Sequence, residues 1–477
     1  MSDHGVELYT PPFTSEHMNT VLTLLLPHIS RWKSLSILTD CWAPMYTALH
    51  AINPFITRFG APLLESLSLM RCNDLISFSP QFQPHHLKEP AFLKCGTNET
   101  QSDLECPNIL PSLKYLSLRG VHVDWDTLAD SLSTSETGLS WLELAWHSHE
   151  VRPSLDQFRK LLSSSSGLRS LILSSSGPSI SEDAVSIIHH DYVPVHLPHL
   201  RNITVGYRSV LEGRIALELI DAPNAKELSL EDATYTGDPD IVNAGPLLSY
   251  IGTKQFGEAH QNHRITAYEL PETLGHPAAL VAEKGLSISC STHVNKSDES
   301  QAAFPLLESV TLRGVKTCSQ PLRAFLAALS SLKHLELTSM TMQAICALLP
   351  SDQITTGTNC PCPQLRSLCI RSFEQLDVQD IDFIVSGLAV KRQNKGACEL
   401  QEVDIHVDAA KMTFVPNCGP ANMKVNIIST DRFDEEDDYD YDYDYGQNTA
   451  VDPYEPGGAF NDSLFDGYYS SHFQITH

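Results

Sequence analysis

The chain has 477 residues, 42% of them hydrophobic, and carries 58 Asp and Glu against 32 Lys and Arg, a formal charge of −26. That acidity argues against a nucleic-acid surface and against an anionic membrane surface, both of which select a basic face. At this length roughly three domains are the default expectation, although a repeat array can continue as one unit.

The first segment, 1–30, reads as a capping segment. Met1–Glu7 shows no basic stretch leading into an apolar run, so no signal peptide is visible. Val21–Leu26 falls far short of the ~20 apolar residues that cross a bilayer. A cytoplasmic or nuclear location is expected, with the 12 cysteines as reduced thiols. The sequons that start at Asn98, Asn202, Asn295 and Asn461 are then chance matches.

From Trp32 onward one phrase recurs, apolar-x-x-apolar-x-apolar. Strong copies start at Leu64, Leu113, Leu139, Leu168, Leu200, Leu307, Leu332, Leu365 and Leu400. Weaker ones start at Trp32, Ala225 and Glu283, keeping the pairs Leu35/Ile37, Leu228/Leu230 and Leu286/Ile288. The twelve copies, two long gaps aside, follow one another at a mean spacing of 29 residues. A leucine-rich repeat has a period of roughly 20–29 residues. Two apolar residues at i and i+2 share one face of a short strand, and the leading Leu anchors the turn into it. Between copies, Leu155–Leu162, Pro321–Leu329, Met342–Leu349 and Asp380–Val390 have helical spacing, and Ser154 with Gln157 reads as a capping box. No unit of this kind can bury its own apolar face, so the units must stack. The fold class predicted is α/β: a leucine-rich-repeat solenoid over 31–428, a curved parallel sheet backed by helices.

Two insertions interrupt the array, at about 71–110 and 231–282. The final segment, 429–477, contains Asp434–Tyr445, in which carboxylates alternate with tyrosines. Like charges at every second position repel, so this segment is expected to be a disordered acidic tail.

The chain lacks the phosphate loop G-x-x-x-x-G-K-[ST], the G-x-G-x-x-G turn, the G-x-S-x-G elbow and the H-E-x-x-H helix. His147, His149 and Glu150 do not place two imidazoles one helical turn apart. Cys360-Pro-Cys362 with Cys369 is short of the four ligands of structural zinc. His189-His190-Asp191 and His85-His86 lie in polar, loop-like stretches. No catalytic residue, metal ligand or cofactor is expected, and a non-catalytic protein is the reading; an enzyme with its site in the 231–282 insertion is the remote alternative.

What remains is a surface. Residues flanking each apolar pair point to the concave face, whose central column runs Ser36, Ser68, Ser117, Glu143, Ile172, Thr204, Ser229, Ser287, Thr311, Glu336, Cys369, Asp404. The columns beside it carry Tyr115, Trp141 and His334 on one side and Arg119, Arg313 and Arg371 on the other. Aromatic and Arg side chains are the usual anchors of protein interfaces. The candidate partner-binding residues are therefore Tyr115, Ser117, Arg119, Trp141, Glu143, Thr311, Arg313, His334, Glu336, Arg371 and Asp404. One register test follows from this face: Leu116→Asp buries a charge and costs several kcal/mol, whereas Ser117→Asp, on the open face, is nearly neutral.

The passage Leu26-Pro-His-Ile-Ser-Arg-Trp-Lys-Ser-Leu-Ser-Ile37 resembles the opening of the leucine-rich region of basidiomycete F-box proteins. It is followed by Pro62-Leu-Leu-Glu-Ser-Leu-Ser-Leu69 and by Leu110–Gly120, similar to the later phrases of that family. The similarity runs loosely from Thr20 to Ile428. It implies a substrate-recognition protein, with the repeats selecting a protein partner and a ubiquitin-ligase adaptor as a second one. The F-box itself, which opens on a Leu-Pro-x-Glu-type motif, is not found before Arg31. A free-standing leucine-rich-repeat scaffold with no ligase role is the alternative.

Overall fold

Every copy of the phrase that falls within the described residues forms a strand; in this computed structural model those residues are 13–72, 81–93, 109–133, 138–180, 193–234, 243–254, 302–350, 360–371, 376, 378–408, 423–430 and 472–476. In chain order the strands are β1 (Ser34–Thr39), β2 (Ser66–Arg71), β3 (Tyr115–Arg119), β4 (Trp141–Ala145), β5 (Ser170–Ser174), β6 (Val195–His196), β7 (Asn202–Tyr207) and β8 (Ile220–Asp221). They continue as β9 (Glu227–Asp232), β10 (Ser309–Arg313), β11 (His334–Thr338), β12 (Ser367–Arg371), β13 (Glu402–Asp408), β14 (Lys424–Thr430) and β15 (His472–Thr476). The copy starting at Glu283 lies outside the described residues, as do His189–Asp191 and the Asp434–Tyr445 run.

The chain divides into two compact units, Met1–Leu200 with Ala216–Ala222 and Tyr443–His477, and Arg201–Ile215 with Pro223–Asp442. Strand order in the first is β5-β4-β3-β2-β1-β15. Its strands are parallel except β15, which runs antiparallel to β1. In the second the order is β14-β13-β12-β11-β10-β9-β7, all parallel. A separate parallel pair joins β6 and β8.

Register explains why the phrase needs its spacing. In the first unit Leu35, Leu67, Leu116, Leu142 and Leu171 stand in one row and Ile37, Leu69, Leu118, Leu144 and Leu173 in the next. The second unit repeats this with Ile203, Leu228, Val310, Leu335, Leu368 and Val403 beside Val205, Leu230, Leu312, Leu337, Ile370 and Ile405. Every one of these side chains is at most 2% exposed. A slip of one residue would turn a whole row to the opposite face, so burial of the rows pins the pairing.

The leading leucines are buried as well, and the residue after each one ties copy to copy. The Lys33 carbonyl accepts from the N–H groups of Glu65 and Ser66, that of Glu65 from Lys114 and Tyr115, and that of Lys114 from Ser140 and Trp141. The same bifurcated step recurs in the second unit at Lys226, Glu308 and Lys333. At the other end of the strand the chain must leave the sheet, and it does so through a left-handed residue: Gly120, Trp146, Ser175, Gly314 and Ser339, with φ of 62°, 56°, 51°, 62° and 51°. The amides of Gly120, Trp146, Gly314 and Ser339 extend the ladder by one rung, as Gly120 N–H to Ala145 O at 2.7 Å and Ser339 N–H to Arg371 O at 3.0 Å.

Helix α1 (Ser15–Leu25) precedes β1, and further helices follow strands: α2 (Trp42–Phe59), α3 (Trp125–Ser133), α4 (Leu155–Ser163), α5 (Val210–Glu218), α6 (Gly245–Thr253), α7 (Ser319–Ala328) and α8 (Met342–Ala347). The capping box predicted for α4 is present, with Gln157 N–H donating to Ser154 Oγ at 3.3 Å and Ser154 N–H to Gln157 Oε1 at 3.0 Å. A second one, Thr14 with His17, opens α1 and escaped the sequence reading because histidine replaces the usual Glu or Gln. Helix α1 packs on α2, burying Met18 and Leu22, and Trp32 of the Arg31-Trp32 pair is wholly enclosed.

The insertion at 71–110 is in part a packed element. Trp42 Nε1 donates to Leu87 O and Arg71 to Gln83 O, each at 3.1 Å, while Phe82, Phe92 and Leu93 are buried. Glu150 accepts the Phe82 amide at 3.1 Å and pairs with Lys88 at 3.0 Å. Beyond the twelve copies lies one more strand, β14, with Val425 beside Val403 and Ile427 beside Ile405. Within the stretch expected as an acidic tail, His472–Thr476 forms β15; residues 431–471 lie outside the described ones.

Candidate binding face

The side chains between the buried rows stand on the helix-free face of each sheet, in the columns expected from the sequence. In the first unit Tyr115 stands beside Trp141, Ser117 beside Glu143, and Arg119 beside Ala145. The Tyr115 and Trp141 rings stack at 5.6 Å between centroids and 21° between planes. Arg119 meets Glu143 Oε1 at 2.6 Å, Ser117 Oγ donates to Glu143 Oε2 at 2.8 Å, and the Arg119 guanidinium lies 5.4 Å from the Trp146 ring centre. The structure thus joins five of the candidate residues, Tyr115, Ser117, Arg119, Trp141 and Glu143, in one cluster. Burial raises the Tyr115 phenol above its usual value, Glu143 adds to the rise, and Arg119 opposes it. The phenol is protonated at neutral pH and offers a hydrogen-bond donor and a ring face.

One expectation needs correction. Ser117 is 2% exposed and Glu143 is 5% exposed, so neither stands open to solvent. Glu143 turns along the sheet to Arg119 and Ser117 instead of outward, because a carboxylate with two donors in reach gains more from them than from water. Ser117 therefore does not stand on an open face, and Ser117→Asp is expected to destabilise the fold.

In the second unit Thr311 stands beside Glu336, Glu336 beside Cys369, Cys369 beside Asp404, and Asp404 beside Asn426. Arg371 Nε lies 3.2 Å from Glu336 Oε1 and 3.4 Å from Cys369 Sγ. Asn426 Nδ2 donates to Asp404 Oδ1 at 2.5 Å, and Lys424 pairs with Glu402 at 2.7 Å. Arg313 and His334 are exposed. Arg313 forms no ion pair among the described residues. Lys424, Asn426 and His406 escaped the sequence reading; the alternation of Val425 and Ile427 with polar residues was the signal that could have found them. Burial pushes the Cys369 thiol up, with Glu336 and Asp404 acting in the same direction. A thiol kept protonated is a poor nucleophile.

The remaining titratable candidates have structural partners. His147 is buried, with Nε2 2.8 Å from Val121 O and Nδ1 3.0 Å from Ser176 Oγ. Cys362 Sγ donates to Leu326 O at 3.1 Å and burial pushes its pKa up to about 12. Among the described residues no group of three or more His, Cys, Asp or Glu side chains is arranged to hold a metal ion, and no helix is long and apolar enough to cross a membrane.

No protein-family model matches the chain, and no curated protein does. Among solved structures the chain is similar to the leucine-rich-repeat-containing protein LegL7 from Legionella pneumophila. The two are 14% identical, with 74% of this chain and 77% of that one covered and a TM-score of 0.32. The fold rests on the strand register and the buried rows, not on that likeness.

Proposed function

We propose that this chain is a protein-binding module that holds a partner on the helix-free face of its first unit. The observation that carries the reading is the Tyr115–Trp141 stack, a half-exposed aromatic platform on two paired strands, flanked by Arg119. Rigid strands hold both rings, so little side-chain freedom is lost when a partner covers them. The Arg119 charge is met by Glu143, which favours an uncharged or aromatic protein segment over an anionic one. The titratable groups on the two faces fit this role: Tyr115 and Cys369 are held toward their neutral forms.

The test is affinity purification of the full chain from its native cells, beside the variant Tyr115→Ala/Trp141→Ala with an unchanged circular dichroism spectrum. Partners recovered with the wild type and lost with the variant support the platform. Identical recovery by both overturns it.

A finer reading, a substrate receptor of a ubiquitin ligase, is favoured by the resemblance of Leu26–Ile37 to basidiomycete F-box proteins. The same purification decides it. A ligase adaptor and cullin among the partners support that role, and partners without either leave a free-standing scaffold.

A further inference from the structure

The first sheet is parallel until its last member, where β15 pairs antiparallel with β1 over five residues, Ser34 with Thr476 through Leu38 with His472. The outer edge of β1 would otherwise present a row of open N–H and C=O groups, the usual template for association with another chain. We propose that this edge is a strand-accepting site whose resident is the chain's own segment His472–Thr476, held there as an exchangeable strand.

Three observations carry this. First, the register matches the pattern of both segments: Phe473 stands opposite Ile37, Ile475 opposite Leu35, and Gln474 opposite Ser36. Residues directly opposite in an antiparallel pair share a face, so apolar positions meet apolar ones and polar meet polar. A slip of one residue would set Phe473 opposite a polar or mismatched position, which makes the pairing selective for an alternating sequence. Second, the core on the helix side of β1 is supplied by α1 and α2. Leu35 and Ile37 are each 1% exposed, and α1 and α2 supply Met18, Leu22 and Trp42 to that core, each at 1% or less. Removal of β15 therefore strips backbone partners from one edge, while α1 and α2 still cover the helix side of that core. Third, residues 431–471 separate β15 from β14, so β15 is not held to the sheet by a neighbouring repeat. Among the described residues its strand partner is β1 alone, through a five-residue ladder, and short ladders open and reclose readily.

The site would take an extended segment with apolar residues at alternate positions, main-chain bonds giving affinity and the 473 and 475 positions giving selectivity. In cis, the resident blocks it. That makes β15 an autoinhibitory contact on an edge distinct from the Tyr115–Trp141 platform.

The experiment is amide hydrogen exchange over Ser34–Thr39, compared between the full chain and a chain lacking residues 471–477. Exchange there is expected to accelerate at least about ten-fold on truncation, while α2 and β3 keep their rates, which shows that the truncated protein is folded. A synthetic peptide of Ser471–His477 should restore protection in trans, and the same peptide with Phe473→Asp and Ile475→Asp should not. Should the truncated chain fail to fold, Phe473→Asp/Ile475→Asp in the full chain gives the same readout. Unchanged exchange at Ser34–Thr39 overturns the proposal, as does equal protection by both peptides. A full chain that elutes as a dimer, reverting to monomer on truncation, also overturns it, since the strand then comes from a second copy.

Discussion

Arg119 on β3 reaches diagonally to Glu143 on β4, two positions off in register, with 2.6 Å between guanidinium and carboxylate, the acid 6% exposed and the base 33%. Ser117 adds the second hydrogen bond to the same carboxylate at 2.8 Å. The acid is thus more deeply placed than its partner, and the two ends of the pair differ in what their loss leaves behind. Arg119→Ala leaves a buried carboxylate with Ser117 alone and should cost about 1–2 kcal/mol, discounted for the solvent that reaches the guanidinium. Arg119→Ala/Glu143→Ala removes the stranded charge as well, so it should cost less than the sum of the two single changes. Urea denaturation of the four proteins measures the coupling, and strict additivity would show that the pair contributes nothing.

Ser117→Asp sets a second carboxylate against Glu143 in a site closed to water. Like charges at that distance repel and one must take up a proton, so a loss of roughly 2–4 kcal/mol is expected. Ser68→Asp, one strand over in the same column and half-exposed, should stay within about 0.5 kcal/mol of wild type. Thermal melts of both, beside Leu116→Asp, separate a closed Ser117 from an open one.

That contrast marks where the sequence is readable. The buried rows follow from a period of two, a local property, and so the rows through Leu116 and Leu118 were legible residue by residue. Which face residues turn sideways is not local: Glu143 closes on Arg119 and Ser117 because strands separated by a helix happen to bring two donors to one acid. The strand at Lys424–Thr430 was hidden for a simpler reason, since Asn422 stands where the phrase requires a leading leucine. The alternation of His472–Thr476 was masked by the acidic composition of the segments before it.

His122 is buried between Trp42, with which it stacks at 5.1 Å, and Phe82 at 4.7 Å, and Nε2 meets the Lys88 carbonyl at 2.5 Å. Desolvation lowers its pKa to about 4, a shift the Lys88 bond opposes and Arg71 assists. The unfolded imidazole takes up a proton near 6.5 while the folded one does not, so the unfolded state binds more protons between pH 6.5 and 4. Stability is therefore fully present above pH 6.5 and declines as pH falls toward 4, by an amount on the order of 3 kcal/mol. His122→Phe, which keeps a flat ring on Trp42, should flatten that slope in urea titrations run across this range.

The left-handed residue that follows five of the strands gives a prediction in both directions. Gly120 has φ of 62°, where a side chain is strained, and Gly120→Ala should cost about 1–2 kcal/mol. Ser339 pays that strain at φ of 51° without being glycine, so Ser339→Gly should gain several tenths of a kcal/mol, offset in part by the freer unfolded chain. Opposite signs in thermal melts are expected, and equal signs would mean that these positions are not equivalent.

Arg392 shows how the second unit closes its irregular turn around Cys360–Cys362. It is 1% exposed, and its guanidinium donates to Leu348 O at 3.2 Å, Pro361 O at 2.8 Å and Cys362 O at 2.7 Å. These carbonyls come from a helix end and from a turn; the Leu365 N–H already donates to Cys362 O at 3.0 Å, and the planar fork supplies donors to Leu348 O and Pro361 O as well as a second one to Cys362 O. A lysine carries the same charge on one nitrogen and cannot span them, so Arg392→Lys should cost on the order of 2–3 kcal/mol. Arg392→Leu removes the charge but takes the Arg392 donors from Leu348 O and Pro361 O, and a comparable loss is expected. If Lys proved as stable as wild type while Leu did not, charge alone would hold the turn; if Leu were the better tolerated, the buried guanidinium would be a net cost to the fold.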